Sequence, residues 1–151
     1  MTMPDLLASF WDVPLRVSLG AIFIGHGCRK LFGWFGGHDY QETPKQLQRL
    51  GEKMTQVLMT LAGSAQLLGA FLVLFGLWTR LGASLLFAEV FIGIPLAHLE
   101  HGFFLNWKNL PGKGNGIEYN IAIMGLTLSL MLAGAGPFSL DVALFGGGLL
   151  R

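Results

Sequence analysis

Two continuous apolar stretches set the architecture of this chain: QVLMTLAGSAQLLGAFLVLFGLW (residues 56–78) and LGASLLFAEVFIGIPLAHLEHGFF (residues 81–104). A helix of about 20 residues crosses the roughly 30 Å hydrocarbon core of a bilayer, and both stretches are long enough. Their hydrophobicity is continuous and does not alternate, which favours helices over the strands of a barrel. The hinge Trp78-Thr79-Arg80 is so short that it predicts an antiparallel pair.

Two further apolar stretches flank this pair, at about residues 13–35 and 117–136. Asp12 and Pro14 suit the start of the first of these helices. The predicted fold class is therefore all-α: an integral membrane four-helix bundle with up-down-up-down order, forming a single transmembrane domain over residues 1–151.

The composition excludes several other classes of protein. Of 151 residues, 52% are hydrophobic and 13% are charged, against about 25% charged in soluble domains. A soluble globular domain and a disordered chain are both disfavoured. The single cysteine, Cys28, excludes an internal disulfide framework, and a net charge of +1 without a basic run gives no support for nucleic-acid binding. The expected partner is the lipid bilayer.

The N-terminus and the loops bear on targeting and orientation. Residues 1–12 contain no Lys or Arg and lack the positive start of a secretory signal. Six of the basic residues lie on the side of the two longer loops with Arg29 beside them, whereas Arg16, Arg80 and Arg151 lie on the other side. The positive-inside rule therefore predicts cytoplasmic longer loops and outside termini.

Ionisable and amide side chains inside the spans are costly in hydrocarbon and usually face the bundle interior. One group is predicted to form a structural polar core: Arg16, Gln66, Glu89 and Asn120. A second group lies toward the longer loops and forms a candidate ligand-binding site: His26, Lys30, His98, His101, Glu118 and Tyr119. Charge neutralisation within the bundle and a catalytic or proton-relay role are both open for these residues.

Depth in the membrane suggests how the charges pair. Lys30 and Glu118 share the side of the longer loops and are predicted to form an ion pair, and Arg16 is then expected to pair with Glu89. Glu89 and His98 are nine residues apart, on roughly opposite sides of an ideal helix. Pro95 between them is predicted to kink the helix without bringing both to one site.

Small residues form two stripes at helical spacing. One contains Gly20 and Gly27 between Arg16 and Lys30, and the other contains Ala122, Gly125 and Ser129 beyond Glu118. Small residues let helices approach closely, so both stripes are interpreted as packing seams that also wall a polar cavity. A homodimer is compatible with these stripes.

The connection before the fourth span is rich in polar, aromatic and glycine residues. His98, His101 and Trp107 are predicted to pack over the bundle mouth beside Tyr119 and Asn120, forming a ligand entrance. The alternative is an aromatic belt in which Trp107 and Tyr119 point outward into the headgroups.

Haem and metal sites have weak support in the sequence. His26 and His98 would have to converge to hold a haem, and no CxxCH motif is present. His98, Glu100 and His101 lack matched ligand spacing, so no metal site is predicted.

Short motifs along nearly the whole chain resemble those of the DoxX family of small four-helix bacterial membrane proteins. They are Arg16-x3-Gly20, Gly25-His26-Gly27-x2-Lys30-Leu31, Phe75-Gly76-Leu77-Trp78-Thr79-Arg80, His98-x2-His101-Gly102-Phe103-Phe104-x-Asn106-Trp107, Gly116-Ile117-Glu118-Tyr119-Asn120 and Gly134-Ala135-Gly136-Pro137-Phe138-Ser139-Leu140-Asp141. One departure is Gln66, where such sequences often carry Glu.

This resemblance implies a multi-pass protein of the prokaryotic inner (plasma) membrane that takes part in redox metabolism. Members of the family are associated with quinone-coupled thiosulfate oxidation, with quinone or thiol stress and with membrane redox complexes. The leading hypothesis is a membrane subunit of a quinone-linked oxidoreductase or of a redox-stress complex. His98, Glu118 and Lys30 would supply donors to a quinone. No G-x-G-x-x-G follows a strand, so electrons would come from a soluble or membrane redox partner.

Two other functions are weighed against this hypothesis. A non-catalytic membrane scaffold that anchors soluble redox enzymes would need no ligand in the bundle. A small-molecule or lipid carrier is less favoured, because four spans without inverted repeats do not indicate alternating access.

Overall fold

The computed structural model describes residues 9–36, 45–111 and 113–146, and of Gln46 only the backbone. These residues are helical or irregular and contain no strand, which confirms the all-α prediction. The long helices are α1 (Asp12–Phe32), α3 (Glu52–Phe75), α4 (Thr79–Gly93) and α5 (Glu118–Ala133). The short ones are α2 (Lys45–Gln48) and α6 (Leu140–Phe145), and Trp34–Gly36 forms a 3-10 turn.

The third predicted span is not an α-helix throughout. After α4 the chain continues as a π-helical segment (Ile94–His98) and a 3-10 turn (Leu99–His101). Pro95 has no N–H to donate, and the Leu99 N–H bonds the Ile94 carbonyl, five residues back. The prediction that Pro95 disturbs this helix is confirmed, and the disturbance is a widened turn.

Each long helical segment ends immediately before a glycine with positive φ. Gly33, Gly76, Gly102 and Gly134 have φ of 67°, 65°, 84° and 81°. A residue with a Cβ is strained in this conformation, so glycine is the usual helix terminator. The segments therefore end at Phe32, Phe75, His101 and Ala133, three residues short of the ends of the predicted spans.

Glycines also set the contact between α1 and α3. A Cβ at Gly27 would lie 2.7 Å from the Leu67 side chain and 3.2 Å from the Gly63 carbonyl oxygen. Gly20 faces Leu74, whereas Gly27 faces Leu67. Later positions in α1 therefore contact earlier positions in α3. The two helices are antiparallel, and the first small-residue stripe is confirmed as a packing seam.

The same antiparallel relation continues through α4 and α5. Gly69 of α3 packs against Leu86 of α4, and a Cβ there would lie 3.1 Å from the Gly82 carbonyl oxygen. At the start of α4, the guanidinium of Arg80 donates to the carbonyl of Leu132 near the end of α5, at 3.2 Å. The long helices thus pack in chain order, and α5 also touches α1.

The core of the described chain lies where these helices meet. Its buried members come from all four long helices: Leu19, Phe23, Ala70, Val73, Ala83, Leu86, Ile123 and Leu130. The buried face of α5 carries Asn120, Ile123, Thr127 and Leu130, whereas Ala122, Gly125 and Ser129 are exposed. The second stripe is therefore not a packing seam between described residues, and that prediction is wrong within the chain.

Two helical segments are long and apolar enough to cross a membrane: Glu52–Phe75 and Thr79–His101. Glu118–Ala133 is apolar but shorter, at 16 residues. Helix α1 carries Asp12, Arg16, Arg29 and Lys30 and is not among these candidates.

The segment that ends in α6 closes over the turn between α3 and α4. The carboxylate of Asp141 accepts the backbone N–H groups of Trp78 and Thr79 at 2.7 and 3.1 Å, and the Asp141 N–H donates to the Gly76 carbonyl at 2.8 Å. An acidic side chain there satisfies open N–H groups at the start of α4 and complements its dipole. Residues 137–141 are thereby held to the turn.

Candidate functional site

A cavity of about 950 Å³ lies among α1, α3, α4 and α5. Its wall is largely apolar and includes Phe23, Ala62, Val90 and Ile123. Nine polar residues interrupt this wall: His26, Arg29, Lys30, Gln66, Glu89, His98, Asn115, Tyr119 and Asn120. Pockets that bind small molecules share this character, being mostly apolar with a few convergent polar groups.

Lys30 of α1 and Glu89 of α4 form an ion pair in the wall, which also contains Arg29. Their side chains are 22% and 18% exposed, so most of each has left solvent. The predicted pair between Lys30 and Glu118 is wrong. Glu118 instead accepts the backbone N–H of Leu105 at 3.2 Å, because the loop before α5 folds back over the start of that helix.

Arg16 has a different partner from the one predicted. Its Nη2 lies 3.0 Å from Oδ2 of Asp12, one turn earlier in α1, and it also donates to the Phe138 carbonyl. The predicted pair with Glu89 is wrong, since Glu89 is engaged by Lys30. Asp12 and Arg16 are both buried, so the pair neutralises its own charge at the end of the bundle away from the cavity.

Glu89 and His98 line the same cavity, contrary to the prediction that they would serve separate sites. The prediction assumed α-helical spacing. The π-helical segment Ile94–His98 has more residues per turn than an α-helix, so each of its residues turns through a smaller angle. This difference brings His98 toward the side of the helix that carries Glu89. Such turns inside α-helices are frequent at functional sites.

The His98 ring is oriented by the loop before α5. Its Nδ1 lies 3.0 Å from the Asn115 carbonyl oxygen. A carbonyl only accepts, so Nδ1 carries the proton, and Nε2 of the neutral ring is left as an acceptor. Asn115 and Leu105 also line the cavity mouth, as does Leu47 of α2. Sequence reasoning did not find these three residues, because no spacing rule places a loop over a helix end.

His101 and Glu118 do not belong to the wall of this cavity among the described residues. Nδ1 of His101 accepts the Gly114 N–H at 3.3 Å, and its Nε2 lies 3.5 Å from Oε1 of Glu100. Both residues shape the loop: His101 holds the segment around Gly114, and Glu118 holds Leu105.

Trp107 does not pack over the bundle mouth, and that part of the entrance prediction is wrong. Its side chain is 80% exposed. Asn106 organises the loop: its Oδ1 accepts the Leu110 N–H at 3.0 Å and its Nδ2 donates to the Leu110 and Lys113 carbonyls. The turn that Asn106 closes therefore carries Trp107 on its outer surface.

Gln66 and Asn120 are the two buried carboxamides of the wall, at 5% and 8% exposure. Oε1 of Gln66 is buried without a hydrogen-bond partner. The side chain of Asn120 forms no hydrogen bond with another described residue. The predicted structural polar core does not form one cluster. Gln66, Glu89 and Asn120 line the cavity, whereas Arg16 lies at the other end of the bundle, paired with Asp12.

No group of three or more His, Cys, Asp or Glu side chains in the described ranges could hold a metal ion. The polar groups of the cavity are spread over four helices. They can donate hydrogen bonds to an organic ligand or accept them from it.

Comparison with known proteins gives one match. The sequence model of the DoxX family matches residues 12–99, more than half of the chain. This range contains His26, Lys30, Gln66, Glu89 and His98 of the cavity wall and ends before α5. No curated protein and no solved structure matches the chain.

Proposed function

The chain belongs to the DoxX family, and on that premise we propose that it is the membrane subunit of a quinone-linked oxidoreductase, with the quinone bound in the 950 Å³ cavity. The single observation that carries this proposal is the cavity itself. It joins an apolar wall to His26, Lys30, Glu89 and His98, and a quinone combines an apolar tail with a polar ring in the same way.

The volume and the polar groups suit such a ligand. Small-molecule sites have volumes of about 300–1,000 Å³, so the cavity can hold a ring and the first part of a lipid tail. Quinone carbonyls need hydrogen-bond donors, and Lys30 and Tyr119 are donors within the wall. Reduction of a quinone to a quinol takes two electrons and two protons. The ion pair and the histidines would exchange the protons, and a soluble or membrane redox partner would supply the electrons.

The order of the helices suggests how the protein lies in the membrane. The long helices form a four-helix bundle with up-down-up-down order that crosses the prokaryotic inner membrane several times. The two longer connections lie in the cytoplasm, which places the cavity mouth at Leu105 and Asn115 on that side. A homodimer would use the exposed face of α5 with Gly125 and Ser129.

The test is a binding titration. The purified full chain in lipid nanodiscs is titrated with a decyl-substituted ubiquinone and with decylbenzene, which has the tail without the carbonyls. Saturable binding of the quinone alone is expected. In a parallel anaerobic titration with the quinol, whose hydroxyl can donate to the free Nε2 of His98, His98→Ala should weaken binding about tenfold, the loss of one hydrogen bond of about 1.4 kcal/mol.

His101→Ala is the matched control, because it removes the same side chain three positions away, outside the cavity wall. It should leave the affinities for the quinone and for the quinol unchanged. A flat titration against the wild-type chain would overturn the proposal and favour the rival function, a non-catalytic scaffold that anchors soluble redox enzymes.

A further inference from the structure

Two neutral side chains of the cavity have hydrogen-bonding capacity that the protein does not use. Gln66 is 5% exposed and its Oε1 has no partner, and Asn120 is 8% exposed without a side-chain hydrogen bond to the described residues. They lie on different helices, α3 and α5, and line one cavity. By contrast, Lys30 and Glu89 satisfy each other there.

An unpaired buried amide is costly. Leaving a buried polar group without a partner costs stability, and an apolar side chain of the same shape would avoid that cost. Met in place of Gln66 would fill the same space without the unpaired oxygen. The unpaired buried oxygen of Gln66, in a wall that also contains the carboxamide of Asn120, therefore points to a partner that enters the cavity.

We propose that Gln66 and Asn120 form a neutral head-group site that binds the ring oxygens of the ligand in both its oxidised and its reduced form. This inference rests on the proposed function, since it assigns the ring of the quinone to this part of the cavity. The carbonyl oxygens of a quinone accept hydrogen bonds, whereas the hydroxyl groups of a quinol also donate them.

A carboxamide suits this exchange better than a charged group does. It carries an NH₂ donor and a carbonyl acceptor, and half a rotation about its last torsion exchanges them. A carboxylate only accepts, and an ammonium only donates. Gln66 and Asn120 can therefore bind a carbonyl before reduction and a hydroxyl after it without moving the ligand.

The expected consequence is similar affinity for the two redox forms. The midpoint potential of bound quinone then stays close to that of free quinone. Gln66→Glu replaces a group that donates and accepts with an acceptor, so it should favour the quinol over the quinone by about tenfold. For a two-electron couple this shifts the midpoint potential of the bound quinone upward by about 30 mV.

The experiment measures the affinity of nanodisc-embedded wild-type, Gln66→Met and Gln66→Glu chains for decyl-substituted ubiquinone and, under anaerobic conditions, for its quinol. Thermal unfolding is recorded on the same samples. Gln66→Met should unfold at the same temperature as wild type or higher, yet bind both redox forms about tenfold more weakly. Gln66→Glu should weaken quinone binding selectively.

Gln56→Met is the matched control, since Gln56 lies on the same helix, is exposed and bonds Glu52. It should leave both affinities unchanged. Asn120→Leu repeats the test from α5 if Gln66→Met does not fold. Wild-type affinity for both redox forms in Gln66→Met, or in Asn120→Leu, would overturn this inference and leave the proposed function standing. Absence of binding to the wild-type chain would overturn the proposed function and this inference with it.

Discussion

Replacement of Glu89 by Gln tests the central contact of the cavity, the ion pair with Lys30. Gln keeps the shape of the side chain and removes its charge. The Lys30 ammonium, 22% exposed in the pair, is then left in a largely apolar wall without its counter-charge. We expect a less stable protein, because a charge that has lost its partner keeps its desolvation cost.

The magnitude follows from the exposure of the two side chains. Breaking a fully buried pair costs about 3–5 kcal/mol, whereas an exposed pair contributes about 0–1 kcal/mol. With Lys30 and Glu89 at 22% and 18% exposure, we expect a loss between the two cases after screening, about 2 kcal/mol. Lys30→Met should cost a similar amount, because it leaves the Glu89 carboxylate unpaired.

The assay is reversible unfolding in mixed detergent, followed by helical circular dichroism, on wild type, Glu89→Gln, Lys30→Met and the double variant. The double variant should recover part of the loss, with a coupling energy of about 1 kcal/mol or more. Glu52→Gln is the control, since Glu52 is exposed at the start of α3. It should change stability by less than about 0.5 kcal/mol. Additive single losses would refute the ion pair as a stabilising contact.

Further predictions concern the packing and the turn between α3 and α4. Gly69→Ala should destabilise the protein by about 1–3 kcal/mol in the same assay, because a Cβ there would lie 2.8 Å from the Leu86 side chain and 3.1 Å from a backbone oxygen. Gly125→Ala should instead stabilise it by about 0.5–1 kcal/mol, because nothing lies within 4 Å of that Cβ; a loss would show that another surface covers this face of α5. Asp141→Ala should cost about 1–2 kcal/mol, as the loss of a helix cap does. Asp141→Asn should recover part of that stability, and equal losses in both variants would contradict the capping role.

The helical architecture was predictable from the sequence because it depends on a strong and continuous signal. Runs of about 20 apolar residues leave few alternatives, and the hinge at Trp78-Thr79-Arg80 fixes the direction of the second helix of the pair. The ends of the helices were also encoded. The predicted spans run three residues past Phe32, Phe75, His101 and Ala133, and the terminating signal was the glycine that follows each of them.

The partners of the charged residues were less predictable. Depth along the bundle suggested Glu118 for Lys30, but depth does not tell which helices are neighbours. Lys30 reaches Glu89 because α1 packs closely on α3, beside α4. For Arg16 the sequence held a sufficient signal, since an acid four residues before a base in one helix forms a local pair. The position of Asp12 before Pro14 suggests a helix cap, but Asp12 is the first residue of α1 and Trp11 is the cap residue.

Two features of the cavity could not be predicted from periodicity. Pro95 indicates a disturbed helix, but not whether the turn narrows, bends or widens. The widened turn observed at Ile94–His98 decides that His98 joins Glu89. Loop residues are the second case. Asn115 orients His98 through its backbone carbonyl. Any residue that leaves the loop undistorted would offer the same carbonyl, so the residue type at this position does not predict the contact.

The contact of Asp141 with the turn at Trp78 and Thr79 has a consequence for how the protein is made. Sixty-three positions separate Asp141 from Trp78, and a ribosome completes α3 and α4 well before it reaches Asp141. The hairpin of these two helices is therefore synthesised before the residue that caps its turn. Asp141, which caps the turn, and Phe138, whose carbonyl accepts a hydrogen bond from Arg16, both follow α5 in the chain. A nascent chain interrupted before Phe138 would contain the four long helices of the described chain, yet its α3–α4 turn would lack the Asp141 cap and Arg16 would lack its carbonyl acceptor.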